Sequence, residues 1–212
     1  MSDAATQQMD ASPKALDPED LARAQLYALL GSLFYQAPKK ELLADIAIGG
    51  RLCNDESMTD FCQAWRALQD AAARANAETV MDEFDAAFIG TGRQPVMLYG
   101  SFYVAGFLHE KPLAFLRDDL AGLGIARRGN RHESEDHVSA LCDVMRILVA
   151  GDGETPPAAL ESQRDFFRRH LWPWHAQLEA AILSADQTNF YKHVARVLRE
   201  FFVIENTAFD MG

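Results

Sequence analysis

The chain is poor in cysteine, and the three it has, Cys53, Cys62 and Cys142, form no C-x-x-C pair. An odd number at irregular spacing argues against a disulfide framework and against a zinc module, and a reducing compartment is the natural setting. Missing too is any basic segment followed by an apolar stretch in the first sixteen residues, so neither a secretory nor a transit leader is expected and the cytoplasm is the expected location. No apolar run approaches the roughly 20 residues that cross a bilayer. Nowhere do four to eight residues alternate cleanly between apolar and polar, which excludes a sheet protein, and no period repeats. Basic residues are outnumbered, 20 against 31 acidic, and the net charge of -11 sets the chain against phosphate backbones. Nucleic acid is thereby an unfavoured partner, whereas an arginine-containing peptide would be attracted.

What is present is helical. With 212 residues and 49% hydrophobic content, the chain is long enough to bury a full core without metals or crosslinks. Residues 1–16 lack periodicity and read as a frayed tail. Asp17-Pro18-Glu19-Asp20 then reads as a helix start, with Asp17 as N-cap and Pro18 at the first helical position. Apolar residues at helical spacing predict further helices over Glu41 to Ile48, around Met58 to Leu68, and over Val80 to Phe88. The segment from Gly90 to Gly100, broken by Gly92 and Pro95, is the clearest loop in the chain. Beyond it, helices are predicted from Ser101 to Leu108, Pro112 to Leu120 and around Val138 to Leu148. A further one opens at Thr155-Pro156-Pro157, breaks at Pro173, resumes at Trp174, and is followed by a last helix from Phe190. The expectation is an all-α, single-domain bundle of about nine or ten helices over residues 17–212, with two helical blocks joined by a central loop or hinge at 90–100.

Motifs for chemistry are absent. Gly90-Thr91-Gly92-Arg93-Gln94-Pro95 starts like a dinucleotide fingerprint, but Pro95 stands where the third glycine belongs and a helix precedes it instead of a strand. No phosphate-binding P-loop or G-x-S-x-G elbow occurs, so no catalytic residue, metal or cofactor is assigned. Three stretches stand out nonetheless. In His132-Glu133-Ser134-Glu135-Asp136-His137, Ser134 reads as an N-cap with Glu135 and Asp136 in the first turn of a helix. Glu133 with His137, and His132 with Asp136, are spaced for (i, i+4) contacts if the helix starts early enough. The two histidines are five apart and so point to different faces. Tyr99-Gly100-Ser101-Phe102-Tyr103 places aromatics with polar tips at a loop edge, suited to packing the loop or gripping an extended peptide. Gly100 would let another backbone come close. Finally, Trp172 and Trp174 flank a helix break at Pro173 and read as core.

Taken in order, these stretches resemble the TorD/DmsD/NarJ chaperones of molybdopterin enzymes. The resemblance begins with Glu83-Phe84-x-x-x-Phe88-x-Gly90-x-Gly92 and continues through Pro95, Tyr99-x-Ser101-x-Tyr103 and Leu116-Arg117. It reaches the family's Glu-Pro-x-Asp-His run, present as Glu133-Ser134-Glu135-Asp136-His137 with Ser134 replacing proline, and closes on His170-Leu171-Trp172-Pro173-Trp174. It covers roughly residues 20 to 205. The resemblance implies a cytoplasmic, all-helical chaperone without turnover. Its implied partner is the precursor of a molybdopterin-containing oxidoreductase, bound through its twin-arginine signal peptide or as the apoenzyme and held back from export until the cofactor is inserted. Tyr99, Gly100, Ser101, Tyr103, Glu133, Asp136 and His137 are the expected client-binding residues. A monomer is expected, with domain swapping about the hinge as a route to a minor dimer. The competing readings are a helical adaptor without such a client and a metal-dependent hydrolase using the His132 to His137 cluster.

Overall fold

The computed structural model describes residues 16–49, 53, 59–90, 94–106, 111–126 and 133–211. Among them run ten α-helices: α1 (Pro18–Tyr35), α2 (Lys40–Ile48), α3 (Asp60–Arg74), α4 (Ala77–Phe84), α5 (Gly100–Ala105), α6 (Lys111–Gly122), α7 (Val138–Ala150), α8 (Leu160–His170), α9 (His175–Ser184) and α10 (Phe190–Met211). No strand occurs among the described residues, only one isolated antiparallel bridge between Tyr99 and His137. None of the described helices is long and apolar enough to cross a membrane. The all-α architecture is thus as the apolar periodicity predicts.

The first helix starts where its cap is written: the Asp17 carboxylate accepts a hydrogen bond from Glu19 N at 2.9 Å and Pro18 fills the first turn. Its apolar face, with Tyr27, Leu30, Leu33 and Phe34 fully buried, packs along α7. Gly31 sets that distance, because a Cβ there would come within 3.3 Å of the Ser139 carbonyl oxygen. The first half of the chain therefore packs directly on the second. The last helix, α10, lies against α3 and α9. Arg23 of α1 holds Glu205 of α10 through two hydrogen bonds of 2.7 and 2.9 Å, and Tyr27 adds a third at 2.9 Å.

Three local expectations are corrected. Cys53 and Cys62 are joined by a disulfide, with Cα atoms 5.7 Å apart, while Cys142 is a buried free thiol. Spacing along the chain does not announce the pair, whose second member sits in the first turn of α3. The helix predicted over Val80 to Phe88 changes pitch: α4 gives way to a π turn over Asp85–Ile89 before Gly90. The Thr155-Pro156-Pro157 run does not open a helix, since α8 begins only at Leu160. Instead, the Asp152 carboxylate accepts from Glu154 N and Thr155 N and folds the run as a turn.

Candidate functional site

The three unusual stretches of the sequence meet at one place. The backbone before α5 and that before α7 are laced together, Gly100 N donating to Asp136 O at 2.9 Å and Val138 N to Leu98 O at 2.8 Å. Into this frame the Asp136 side chain turns back. One carboxylate oxygen, Oδ2, accepts from Ser101 N at 2.9 Å, at the head of α5. The other, Oδ1, is buried and has no hydrogen-bond partner, although the residue is only 4% exposed.

Helix α7 starts at Val138, later than the Ser134 cap predicts, and this is a correction with a physical cause. His137 is the N-cap: its Nδ1 accepts from Ser139 N at 3.2 Å, so the proton of the neutral ring sits on Nε2. An imidazole that accepts a helix N–H must stay uncharged, which resolves the apparent conflict of a histidine at the positive end of a helix. Burial pushes its pKa down to about 4, overcoming the opposing fields of Glu133 and Asp136. Ser134, Glu135 and Asp136 lie in the turn before the helix, so no (i, i+4) pair forms between Glu133 and His137. Ser134 is buried with an unpartnered hydroxyl, and Glu135 pairs with Arg117 at 2.9 Å. His132, invoked for the hydrolase reading, lies outside the described residues. Among those that are described, no three His, Cys, Asp or Glu side chains come together as a metal site.

The aromatic stretch is occupied by its own protein. Tyr99 donates its hydroxyl to Glu133 Oε2 and sets its ring edge-on to His137, centroids 5.0 Å apart. Burial, together with that carboxylate, raises the phenol's pKa. Tyr103 stacks on Trp174 at 5.6 Å and donates its hydroxyl to Met97 O at 2.7 Å. Gly100 is required by the same indole: a Cβ would lie 3.0 Å from Trp174 Nε1. What lies against Gly100 is thus the Trp174 side chain of the same chain, not another backbone. That indole donates to His170 O at 2.6 Å and is 2% exposed, in line with its core reading. Neither Asp119, which His170 Nε2 meets at 2.6 Å and Arg169 at 2.7 Å, nor the pocket walls beside it were legible in sequence, for they come together from separate helices.

The turn at 133–137 divides two cavities. On one side is a groove of about 670 Å³ whose lining, among the described residues, includes the carboxylates of Glu133, Glu135, Asp143, Asp152 and Glu154 and the guanidinium of Arg146. Ser134 and His137 belong to the same wall. On the other is a pocket of about 250 Å³ between α5, α6 and the α8–α9 turn, where Asp136 lies among Val104, Phe115, Leu116, Leu141 and Trp174. Its rim carries exposed apolar side chains, Val104 at 55% and Phe115 at 62%, with Phe102 nearby on α5 at 37%.

The Glu83-Phe84-x-x-x-Phe88 stretch lies elsewhere and is structural. Glu83 accepts from the backbone N–H groups of Asn189, Phe190 and Tyr191 at 2.8, 3.0 and 2.7 Å, capping α10 from α4. Phe84 and Phe88 pack on the Tyr191 ring.

Comparison with known proteins agrees with this frame. A family model described as nitrate reductase delta subunit matches residues 54–180. The chaperone protein TorD of Vibrio cholerae serotype O1 is 25% identical over 204 residues, covering 89% of this chain and 92% of the relative. TorD of Escherichia coli O7:K1 is 25% identical over 183 residues, 82% of this chain and 89% of its own length. The matched span exceeds half the chain and contains the whole frame around Asp136, so the protein belongs to the nitrate reductase delta subunit family, the TorD/DmsD/NarJ chaperones, and is a chaperone instead of an enzyme.

Proposed function

We propose that the chain binds the twin-arginine signal peptide of a molybdopterin-containing oxidoreductase precursor in the cytoplasm and delays its export until the cofactor is inserted. The observation that carries this reading is the pairing of a carboxylate-lined groove with an exposed apolar rim across one turn. A signal peptide joins arginines to an apolar stretch, and a receptor for it needs both surfaces in register. Glu133 and Asp136 present negative charge to the client. Tyr99 and Ser101 hold those carboxylates through the hydrogen bonds described above, and Gly100, Tyr103 and His137 complete the frame around them. Phe102, Val104 and Phe115 receive the apolar part.

The test is calorimetric titration of the full chain with the synthetic signal peptide of a twin-arginine molybdoenzyme and with the same peptide carrying glutamines in place of both arginines. Binding that weakens at least tenfold on losing the arginines supports the reading, since charge-assisted contacts contribute about 1.5–3 kcal/mol each. Equal affinity for both peptides, or none for either, would leave a helical adaptor without this client as the better description.

A further inference from the structure

A disulfide is out of place in a chain whose proposed compartment is reducing. Where such a bond occurs among reducing agents, it is usually a transient or sensing element and not a permanent staple. Cys53 and Cys62 stand nine positions apart in sequence with Cα atoms 5.7 Å apart, a separation that the bond spans without moving the backbone. The two sulfurs do not face solvent alike. Cys62 is 6% exposed in the first turn of α3, whereas Cys53, on the segment that follows α2, is only partly buried against the core. Nor do the neighbouring helices depend on the bond. Gln69 of α3 donates to the carbonyl oxygens of Ile46 and Gly49 at 3.4 and 2.9 Å, and Leu43, Ile46, Trp65, Leu68 and Ala72 are buried between or behind the two helices. With the bond open, α2 keeps its place on α3.

We propose that Cys53 and Cys62 form a reversible thiol–disulfide exchange site for small thiols of the glutathione class, with Cys53 the sulfur at which exchange enters and Cys62 the buried sulfur that resolves it. The inference goes beyond the signal-peptide reading and takes from it only the reducing compartment. In the reducing direction, the thiolate of one small thiol attacks Cys53 Sγ, a mixed disulfide forms there, and the electron pair of the broken bond leaves on Cys62, which takes a proton. A second small thiolate attacks the small-thiol sulfur of that adduct. Cys53 departs as a thiolate and is protonated, and a small-molecule disulfide is released, so two thiols have supplied the two electrons and two protons. Oxidation by a small-molecule disulfide runs the same steps backwards. Access fixes the order, since exchange needs an open path to one of the two sulfurs, and Cys53 is the more open. Cys142 stands aside, fully buried and with its thiol pKa raised by that burial.

The experiment incubates the folded full chain with reduced and oxidised glutathione in varied ratio, stops exchange with excess N-ethylmaleimide, and maps all three cysteines by peptide mass spectrometry beside far-ultraviolet circular dichroism. The expected result is a Cys53–Cys62 disulfide whose fraction follows the ratio in both directions at unchanged helicity. Glutathione caught on the wild-type chain should sit on Cys53 roughly tenfold more often than on Cys62. In Cys62→Ser the adduct should accumulate on Cys53, having lost the sulfur that displaces it, while in Cys53→Ser the remaining Cys62 should react roughly tenfold more slowly. The wild-type mapping decides the matter even should either variant not fold. A bond that reduced glutathione cannot open until the helices melt would be a structural staple and would overturn the inference. Two thiols that stay apart in oxidised glutathione, or an adduct found on Cys62 as readily as on Cys53, would overturn it too. Neither cysteine lines the groove or the pocket, so the exchange site and the signal-peptide reading stand or fall by separate measurements.

Discussion

Asp136 and His137 are neighbours in sequence with opposite tasks, one holding a charge inside the protein and the other refusing one. Acid acts on the second of these tasks. The folded pKa of His137, lowered by burial to about 4, lies below the ordinary histidine value of about 6.5, so between those limits the unfolded chain binds the extra proton. Stability contributed by the neutral ring is therefore complete above about pH 6.5 and is lost as the pH falls toward 4. Urea melts at pH 7 and pH 4.5 should show the loss, and His137→Asn, which keeps a capping acceptor, should reduce it. Part of the slope will remain, since burial also lowers the pKa of His170, His175 and His193. At neutral pH, His137→Ala should cost about 1 kcal/mol of stability through the lost cap. Gly100→Ala, which drives a methyl against the Trp174 indole, should cost about 1 to 3 kcal/mol in the same melts. The sequence draws attention to all of these residues, but not to their roles. Histidine is not a customary cap, and nothing local to Gly100 announces an indole that arrives from residue 174.

Among the elements, period and punctuation carried most of the information. Asp17-Pro18 and the break at Pro173 both fall where the backbone requires them. What escaped local reading was settled by contacts distant along the chain. The start of α7 is fixed by its bridge to the residues before α5, and the head of α10 is capped by a carboxylate from α4. That second device predicts a sizeable effect: Glu83→Ala would leave three N–H groups at the head of α10 without their acceptor and should lower stability by about 2 kcal/mol, read as a shift in the urea midpoint with little change in slope. Glu83 is far from the pockets in sequence and lines neither, so signal-peptide affinity measured on the folded fraction should not change.

On the scale of the whole molecule, the packing of α1 on α7 and the tie between Arg23 and Glu205 join the beginning, middle and end of the chain in one core. We therefore expect a monomer in sedimentation experiments, a domain-swapped dimer requiring α1 to leave α7. The net charge of -11 adds a long-range attraction for a cationic client that the individual contacts do not contain. Peptide affinity should accordingly weaken between about 0.1 M and 1 M salt, as the screening length falls from about 10 Å to 3 Å, whereas the short pairing at Asp136 should be less sensitive. The interlocking of Tyr99 with His137, Ser101 with Asp136, and Gly100 and Tyr103 with Trp174 has an engineering consequence. A chimera that exchanges only one of the three stretches with a relative inherits half of each joint, and should misfold before it changes allegiance. Retargeting to a new client would instead begin at Phe102, Val104 and Phe115, whose exposed side chains can be exchanged while the joints behind them stay whole.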